Sequence, residues 1–312
     1  MIVPVPGIFE ALCWSAVGIR GHADVQGGDA AITGETGAAC FFLLSIHPGE
    51  RASDTFGRIA VHRKGSYMII FLTSSPTGPL DGSRKVEGID EKNGFREHLR
   101  QFWKEKARCL MIAASPDEAA VNDEMKSWMA DTFEKSGLSI TTVDLWDGRT
   151  TDVSQQTLNS YDVVILGGGH VPTENLFFER IGLREKMRAF HGVVIGISAG
   201  TMNSADEVYA QPEMPGEAVD PGYQRFLTGL GLTKTRILPH YQMLQDSMLD
   251  GMRLYEEITF EDSYGRTFLV LTDGSYLFCR NGQETVYGEA YVISDGRMEP
   301  FCEDGQAKCW NG

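Results

Sequence analysis

Short apolar runs punctuate this chain at intervals that fit strands alternating with helices. Met68-Ile69-Ile70-Phe71-Leu72-Thr73 opens the pattern. Residues 109–113, 139–145, 162–166 and 193–197 follow as further strand-like runs. Short uninterrupted runs of Val, Ile and Leu are what strands buried on both faces require. The segments between them carry helical spacing. In 93–106, Phe95, Leu99 and Phe102 fall on one side. Ser115-Pro116-Asp117-Glu118 reads as a helix start, with Pro in the first turn and acids after it. That helix is expected to reach Lys135 and to end at Gly137. A short helix is expected in 151–160 and two more within 173–190. Residues 74–91 read as a polar loop. This alternation predicts a parallel sheet covered on both faces.

Past residue 200 the pattern changes. A short helix is expected to about Ser204, then an irregular stretch over 205–229 that holds Pro212, Pro215 and Pro221. Residues 236–238 form a short apolar run ending at Pro239-His240, and 246–259 read as helical. Residues 267–301 read as short strands with hairpin turns at Asp273-Gly274, Asn281-Gly282 and Asp295-Gly296. The expected fold class is α/β: a mostly parallel sheet flanked by helices on both faces, with antiparallel strands at the C-terminal end.

Residues 1–67 stand apart. They are rich in Gly and Ala, lack helical period and hold one strand-like run, 40–46. They are expected to be a poorly ordered leader, and 68–312 a single catalytic domain. Met68 is a candidate natural start, because the codons of Arg63-Lys64-Gly65-Ser66 can form an all-purine run resembling a ribosome-binding site.

Composition narrows the function classes. The chain has 312 residues, 42% of them hydrophobic and 23% charged, as in ordinary globular enzymes. A net charge of −15, with no basic run beyond Arg63-Lys64, argues against nucleic acid and anionic membranes as partners. The six cysteines form no C-x-x-C pair, so neither a zinc knuckle nor a disulfide framework is expected. That usage fits a reducing cytoplasm. No apolar run is long enough to span a bilayer. A homodimer is compatible with the sequence, which does not require one.

The candidate chemistry centres on Gly196-Ile197-Ser198-Ala199-Gly200. A β-branched strand ending in G-x-S-x-G is the pattern of a nucleophile elbow. The turn forces the serine into a strained backbone, so its neighbours two positions away must be small. The N–H of Ala199, at the start of the next helix, can stabilise an oxyanion. A serine hydroxyl needs a base. Of seven histidines, only His170 and His240 directly follow strand-like runs in the regular part of the chain, and His240 is the better candidate. Acids able to orient that base lie in the irregular segment: Asp206, Glu207, Glu213 and Asp220. A second oxyanion donor is expected from Gly167-Gly168-Gly169, which follows a buried strand. It matches neither G-x-x-x-x-G-K-[ST] nor G-x-G-x-x-G, so a phosphate loop is disfavoured.

Four motifs in order carry a resemblance. Gly167-Gly168-Gly169 is similar to a GGGN loop, Gly196-Ile197-Ser198-Ala199-Gly200 to a G-x-S-A-G elbow, Glu213-Met214-Pro215 to an acid-Met-Pro segment, and Leu238-Pro239-His240-Tyr241 to a P-H-F segment. Together they resemble the peptidase E (aspartyl dipeptidase) and cyanophycinase family of serine peptidases, over about 68–295. The resemblance implies a class I glutamine amidotransferase-like, flavodoxin-like three-layer fold. It also implies Ser198 as nucleophile, His240 as base and Glu213 as its orienter, with Ala199 and Gly169 or Gly168 as the oxyanion hole. His170 stands where the family has Asn. Peptidase E prefers an N-terminal aspartate, which needs a cation, and Arg253 roughly matches a family arginine. His170 and Arg253 are therefore the candidate substrate-binding residues.

The expectation is a serine-type dipeptidase-like enzyme acting on a small peptide, without metal or cofactor. The alternatives are an esterase of α/β-hydrolase type and a non-catalytic binding protein on the same scaffold. No His-Gly-Gly-Gly loop supports the esterase. A glutaminase is disfavoured because position 198 is Ser.

Overall fold

The computed structural model describes residues 68–78 and 88–312. The expected leader, 1–67, lies outside the described residues. Five strands build the parallel core: β1 (Ile69–Thr73), β2 (Ala107–Ile112), β3 (Ile140–Trp146), β4 (Val163–Leu166) and β5 (Val193–Ile197). Among the helices that accompany them are α1 (Phe95–Arg100), α2 (Ala119–Lys135), α3 (Gln155–Leu158), α4 (Val171–Arg180), α5 (Leu183–Met187) and α6 (Ala199–Asn203).

Further along come β6 (Glu207–Tyr209), β7 (Phe226–Thr228), β8 (Arg236–Leu238), helix α7 (Tyr241–Leu244), β9 (Met248–Leu249) and β10 (Met252–Arg253). The last strands are β11 (Thr267–Leu271), β12 (Tyr276–Arg280), β13 (Gln283–Tyr287), β14 (Ala290–Ser294), β15 (Arg297–Cys302) and β16 (Ala307–Trp310).

The main sheet runs β16-β13-β12-β1-β5-β4-β2-β3. The pairs among β1 to β5 are parallel, and β12, β13 and β16 add antiparallel at one side. A second sheet runs β15-β14-β11-β8, with β8 and β11 parallel. The fold is the mostly parallel α/β architecture expected from the alternation.

Strand pleating explains the unbroken apolar runs. Along β1, Ile69 and Phe71 pack on one face with Phe95, Leu99, Met129 and Phe133 of α1 and α2. Ile70 and Leu72 pack on the other, with Phe177, Leu183 and Met187 of α4 and α5. Leu269 and Leu271 of the second sheet join this latter cluster, whereas Phe268 and Val270 face a third cluster with Ala199, Met202 and Leu254. The third cluster lies under the candidate site.

Several boundaries differ from the sequence reading. Helix α1 stops at Arg100, because Trp103 leaves the helical period to pack at a tilt against Phe133 and donate its indole N–H to the Ser139 carbonyl. Helix α2 begins at Ala119, so Pro116 belongs to the preceding turn, closed by Glu118 N–H to the Ser115 carbonyl. The stretch expected to be irregular contains the antiparallel pair β6–β7. The helix expected over 246–259 is interrupted. Asp250 and Gly251 both take positive φ and turn β9 back on β10, the geometry an Asp-Gly hairpin favours. A π-helical segment, Leu254–Thr259, follows. Asn281-Gly282 and Asp295-Gly296 do form hairpins, β12–β13 and β14–β15. Asp273-Gly274 does not. It carries the chain from β11 in the second sheet to β12 in the main one.

Candidate active site

The carboxyl ends of five strands converge on one place. β5 leads to Ser198, β1 to Ser74, β4 to the glycine loop, β8 to His240 and β11 to Asp273. Open α/β sheets position their sites at this edge.

Ser198 has φ 51° and ψ −111°, a strained conformation for a residue bearing a side chain. The flanking glycines are sterically required. A Cβ on Gly196 would stand 2.9 Å from Leu72 Cδ2, and one on Gly200 2.5 Å from the Leu166 carbonyl oxygen. The turn is held by neighbouring strands. Ser198 N–H donates to the Thr73 carbonyl at 3.3 Å, Thr201 Oγ1 donates to the same oxygen at 2.7 Å, and Gly200 N–H donates to the Gly167 carbonyl at 2.9 Å.

His240 is also strained, at φ 60° and ψ 30°. Its Nδ1 lies 2.7 Å from Asp273 Oδ1. Ser74 ties the pair together, its Oγ donating to Asp273 Oδ1 at 2.5 Å and accepting the His240 backbone N–H at 2.8 Å. Asp273 N–H donates to Gln242 Oε1 at 3.0 Å. Burial works against the charge on Asp273. The hydrogen bond and charge of His240 outweigh it, with help from Ser74 and Gln242, and hold the carboxyl below its usual range. With Nδ1 committed to a carboxylate, Nε2 is the ring nitrogen left for Ser198.

Glu213, read from the sequence as the orienter of His240, makes a different contact. Its Oε1 accepts the Val171 N–H at 3.3 Å, and its buried Oε2 has no partner among the described residues. The correction has a physical cause. Glu213 comes from the loop after β6 and meets the start of α4, whereas the chain returns through β11 to bring Asp273 onto the imidazole. Asp273 and Ser74 were both missed. Asp273 sat in a dipeptide that reads as a hairpin turn. Its usable signal was a carboxylate just past a buried run, Phe268-Leu269-Val270-Leu271, at the same sheet edge as His240.

Burial pushes the Glu213 carboxyl up to about 7, although the His170 charge and the Val171 N–H oppose this. Glu174, buried beside it, accepts from Asn203 Nδ2 at 2.8 Å and is also pushed up, by burial first and by the Glu213 charge. A carboxyl raised on folding stabilises fully below its unfolded value, and that contribution is lost as pH climbs through its folded value. For Glu213 the loss runs from about pH 4.5 to about pH 7, and amounts to about 3 kcal/mol. Glu213→Gln is therefore expected to melt roughly 5–10 °C above wild type at pH 8 and level with it at pH 4. Melting curves across pH check this, and a gap that does not vary with pH contradicts it.

The glycine loop passes against the serine. A Cβ on Gly168 would lie 3.3 Å from Ser198 Cβ, and one on Gly169 would lie 2.8 Å from Ala114 Cβ. The N–H groups of Gly168, Gly169 and Ala199 donate to no acceptor among the described residues. A small cavity is lined by Ser198, His240, Gly169, Glu213 and apolar side chains.

The two candidate substrate-binding residues are turned elsewhere. His170 Nδ1 lies 2.8 Å from Thr173 Oγ1, and Nε2 lies 2.9 Å from Glu217 Oε1. Burial disfavours its imidazolium, but the Glu217 hydrogen bond and the Glu213 and Glu217 charges raise its pKa. Arg253 has a side chain 65% exposed and pairs with Glu256 at 3.5 Å. Neither lines the cavity. Among the described residues, no group of His, Cys, Asp and Glu could hold a metal ion, and no helix is long and apolar enough to cross a membrane.

The family model for peptidase family S51 matches residues 80–287. The chain belongs to peptidase family S51. It is a serine peptidase, so the α/β-hydrolase esterase is not its family. A crystal structure of a provisionally named peptidase E protein from Listeria monocytogenes EGD-e is similar to this S51 chain, at 17% identity and a TM-score of 0.47. The similarity covers 70% of this chain and 98% of that one. No curated protein matches the chain.

Proposed function

We propose that this enzyme is a cytoplasmic dipeptidase acting through Ser198, His240 and Asp273. Ser198 Oγ attacks the peptide carbonyl while His240 Nε2 takes its proton. Asp273 holds the Nδ1–H and stabilises the imidazolium that forms. The tetrahedral oxyanion is stabilised by the N–H of Ala199 and that of Gly168 or Gly169, each donor contributing about 3 kcal/mol. His240 then protonates the leaving amine, and water, activated by the same imidazole, cleaves the acyl-enzyme. Residues 68–312 act as the catalytic unit.

The observation that carries this reading is the company Ser198 keeps in one cavity: His240, whose Nδ1 is fixed by Asp273, and Glu213, whose Oε2 is buried and unpartnered. A buried carboxylate oxygen without a partner is costly and calls for a cation. A substrate's free α-ammonium supplies one, two bonds from the carbonyl that Ser198 attacks. Glu213 is thus a binding residue, which favours cleavage beside a free amino terminus. Three buried thiols, Cys109, Cys279 and Cys302, fit a reducing compartment.

The test is a comparison of free and N-acetylated dipeptides on wild type and Ser198→Ala. Acetylation is expected to lower kcat/KM by at least about 100-fold, since it removes a charge from a buried pair. Equal rates on both forms, or hydrolysis that survives Ser198→Ala, overturns the proposal.

A further inference from the structure

The cavity beside Ser198 is walled by Val171, Met202, Leu244 and Leu254. Leu254 is fully buried, while its neighbour Arg253 is directed to solvent and Glu256. Among the described residues, no Lys or Arg lines the cavity. Its remaining polarity is already spent or assigned. Gln211 donates through Nε2 to Thr259 Oγ1 at 2.7 Å. His240 is engaged through Nδ1, leaving the carboxylate of Glu213.

These walls sort side chains by charge. A carboxylate entering the cavity would shed its water with no Lys or Arg among the lining residues to replace it, the His170 imidazole being held by Glu217, and would face Glu213. An apolar side chain gains by burial against the four walls. A lysine or arginine side chain would have to bring its charge back to Glu213. That carboxylate is held on Val171, two residues past Gly169, close to the reacting carbonyl. There it suits an α-ammonium rather than a charge at the end of a long side chain.

We propose that the subsite formed by Val171, Met202, Leu244 and Leu254 beside Ser198 takes a small uncharged side chain and rejects an acidic one. The proposal rests on the peptidase reading above. It departs from the N-terminal aspartate preference that the resemblance to peptidase E implied.

The test uses Ala-Ala, Val-Ala, Leu-Ala, Asp-Ala, Asn-Ala and Lys-Ala in two assays: hydrolysis by wild type, and calorimetric binding to Ser198→Ala. The best apolar dipeptide is expected to exceed Asp-Ala and Lys-Ala by at least about 100-fold in kcat/KM and to bind about 10-fold more tightly. Asn-Ala is expected to fall between. Asp-Ala or Lys-Ala equalling the apolar dipeptides in either assay overturns the proposal. If wild type hydrolyses none of them, the peptidase reading fails, and the order of binding to Ser198→Ala still decides the subsite. Absence of binding by every dipeptide overturns the subsite as well.

Discussion

Ser198→Ala is expected to lower kcat by about 10⁴–10⁶-fold, the range seen when a nucleophile that works as one unit with its base is removed. Almost no stability should be lost. The Ser198 side chain makes no hydrogen bond among the described residues, and the backbone contacts of the elbow run through main-chain groups and Thr201. Alanine inherits the same φ of 51°. Removing a polar group held at 7% exposure is expected to leave Tm within about 2 °C or to raise it slightly. Initial rates with free dipeptides and melting by circular dichroism check both halves. Residual activity above a tenth of wild type would remove Ser198 from the mechanism.

Asp273→Asn is expected to lower kcat by about 10³–10⁴-fold with KM changed far less. The carboxamide is nearly isosteric, so the buried Ser74–His240–Asp273 arrangement keeps its packing. What changes is the proton. An amide that donates to Nδ1 forces the imidazole into the tautomer with Nε2–H, which cannot accept from Ser198. It also removes the negative charge that stabilises the imidazolium. Glu213→Gln should show the opposite split, a raised KM for free dipeptides with kcat largely retained, if Glu213 holds the amino terminus as proposed rather than the base. Steady-state kinetics on the two variants separate the roles.

Much of this was legible in the chain. Buried parallel strands announce themselves as continuous apolar runs, and the glycines around Ser198 mark a turn that no larger residue fits. His240 could be singled out because it follows a strand that ends at the same edge. The orienting acid could not, for a physical reason. Local signals report backbone conformation, and Asp273-Gly274 is a legitimate turn dipeptide whose Gly274 does take positive φ. Its placement against His240 comes from a crossing between two sheets, which no local pattern encodes. Glu213 was misread for a related reason. It does lie in the cavity, but its bond to Val171 depends on how the loop after β6 meets α4. Arg253 illustrates a one-residue effect. Asp250-Gly251 breaks the expected helix into a hairpin, which buries Leu254 and leaves Arg253 outside.

The most direct test of the central claim, that Asp273 rather than Glu213 sets the reactivity of Ser198, needs no substrate. It is the rate at which a small fluorophosphonate modifies Ser198, with the site mapped by mass spectrometry, in wild type, Asp273→Asn and Glu213→Gln. The adduct is predicted on Ser198, formed at least about 100-fold more slowly in Asp273→Asn and within about threefold of wild type in Glu213→Gln. Modification at another residue, or a rate that collapses in Glu213→Gln and survives in Asp273→Asn, would contradict it.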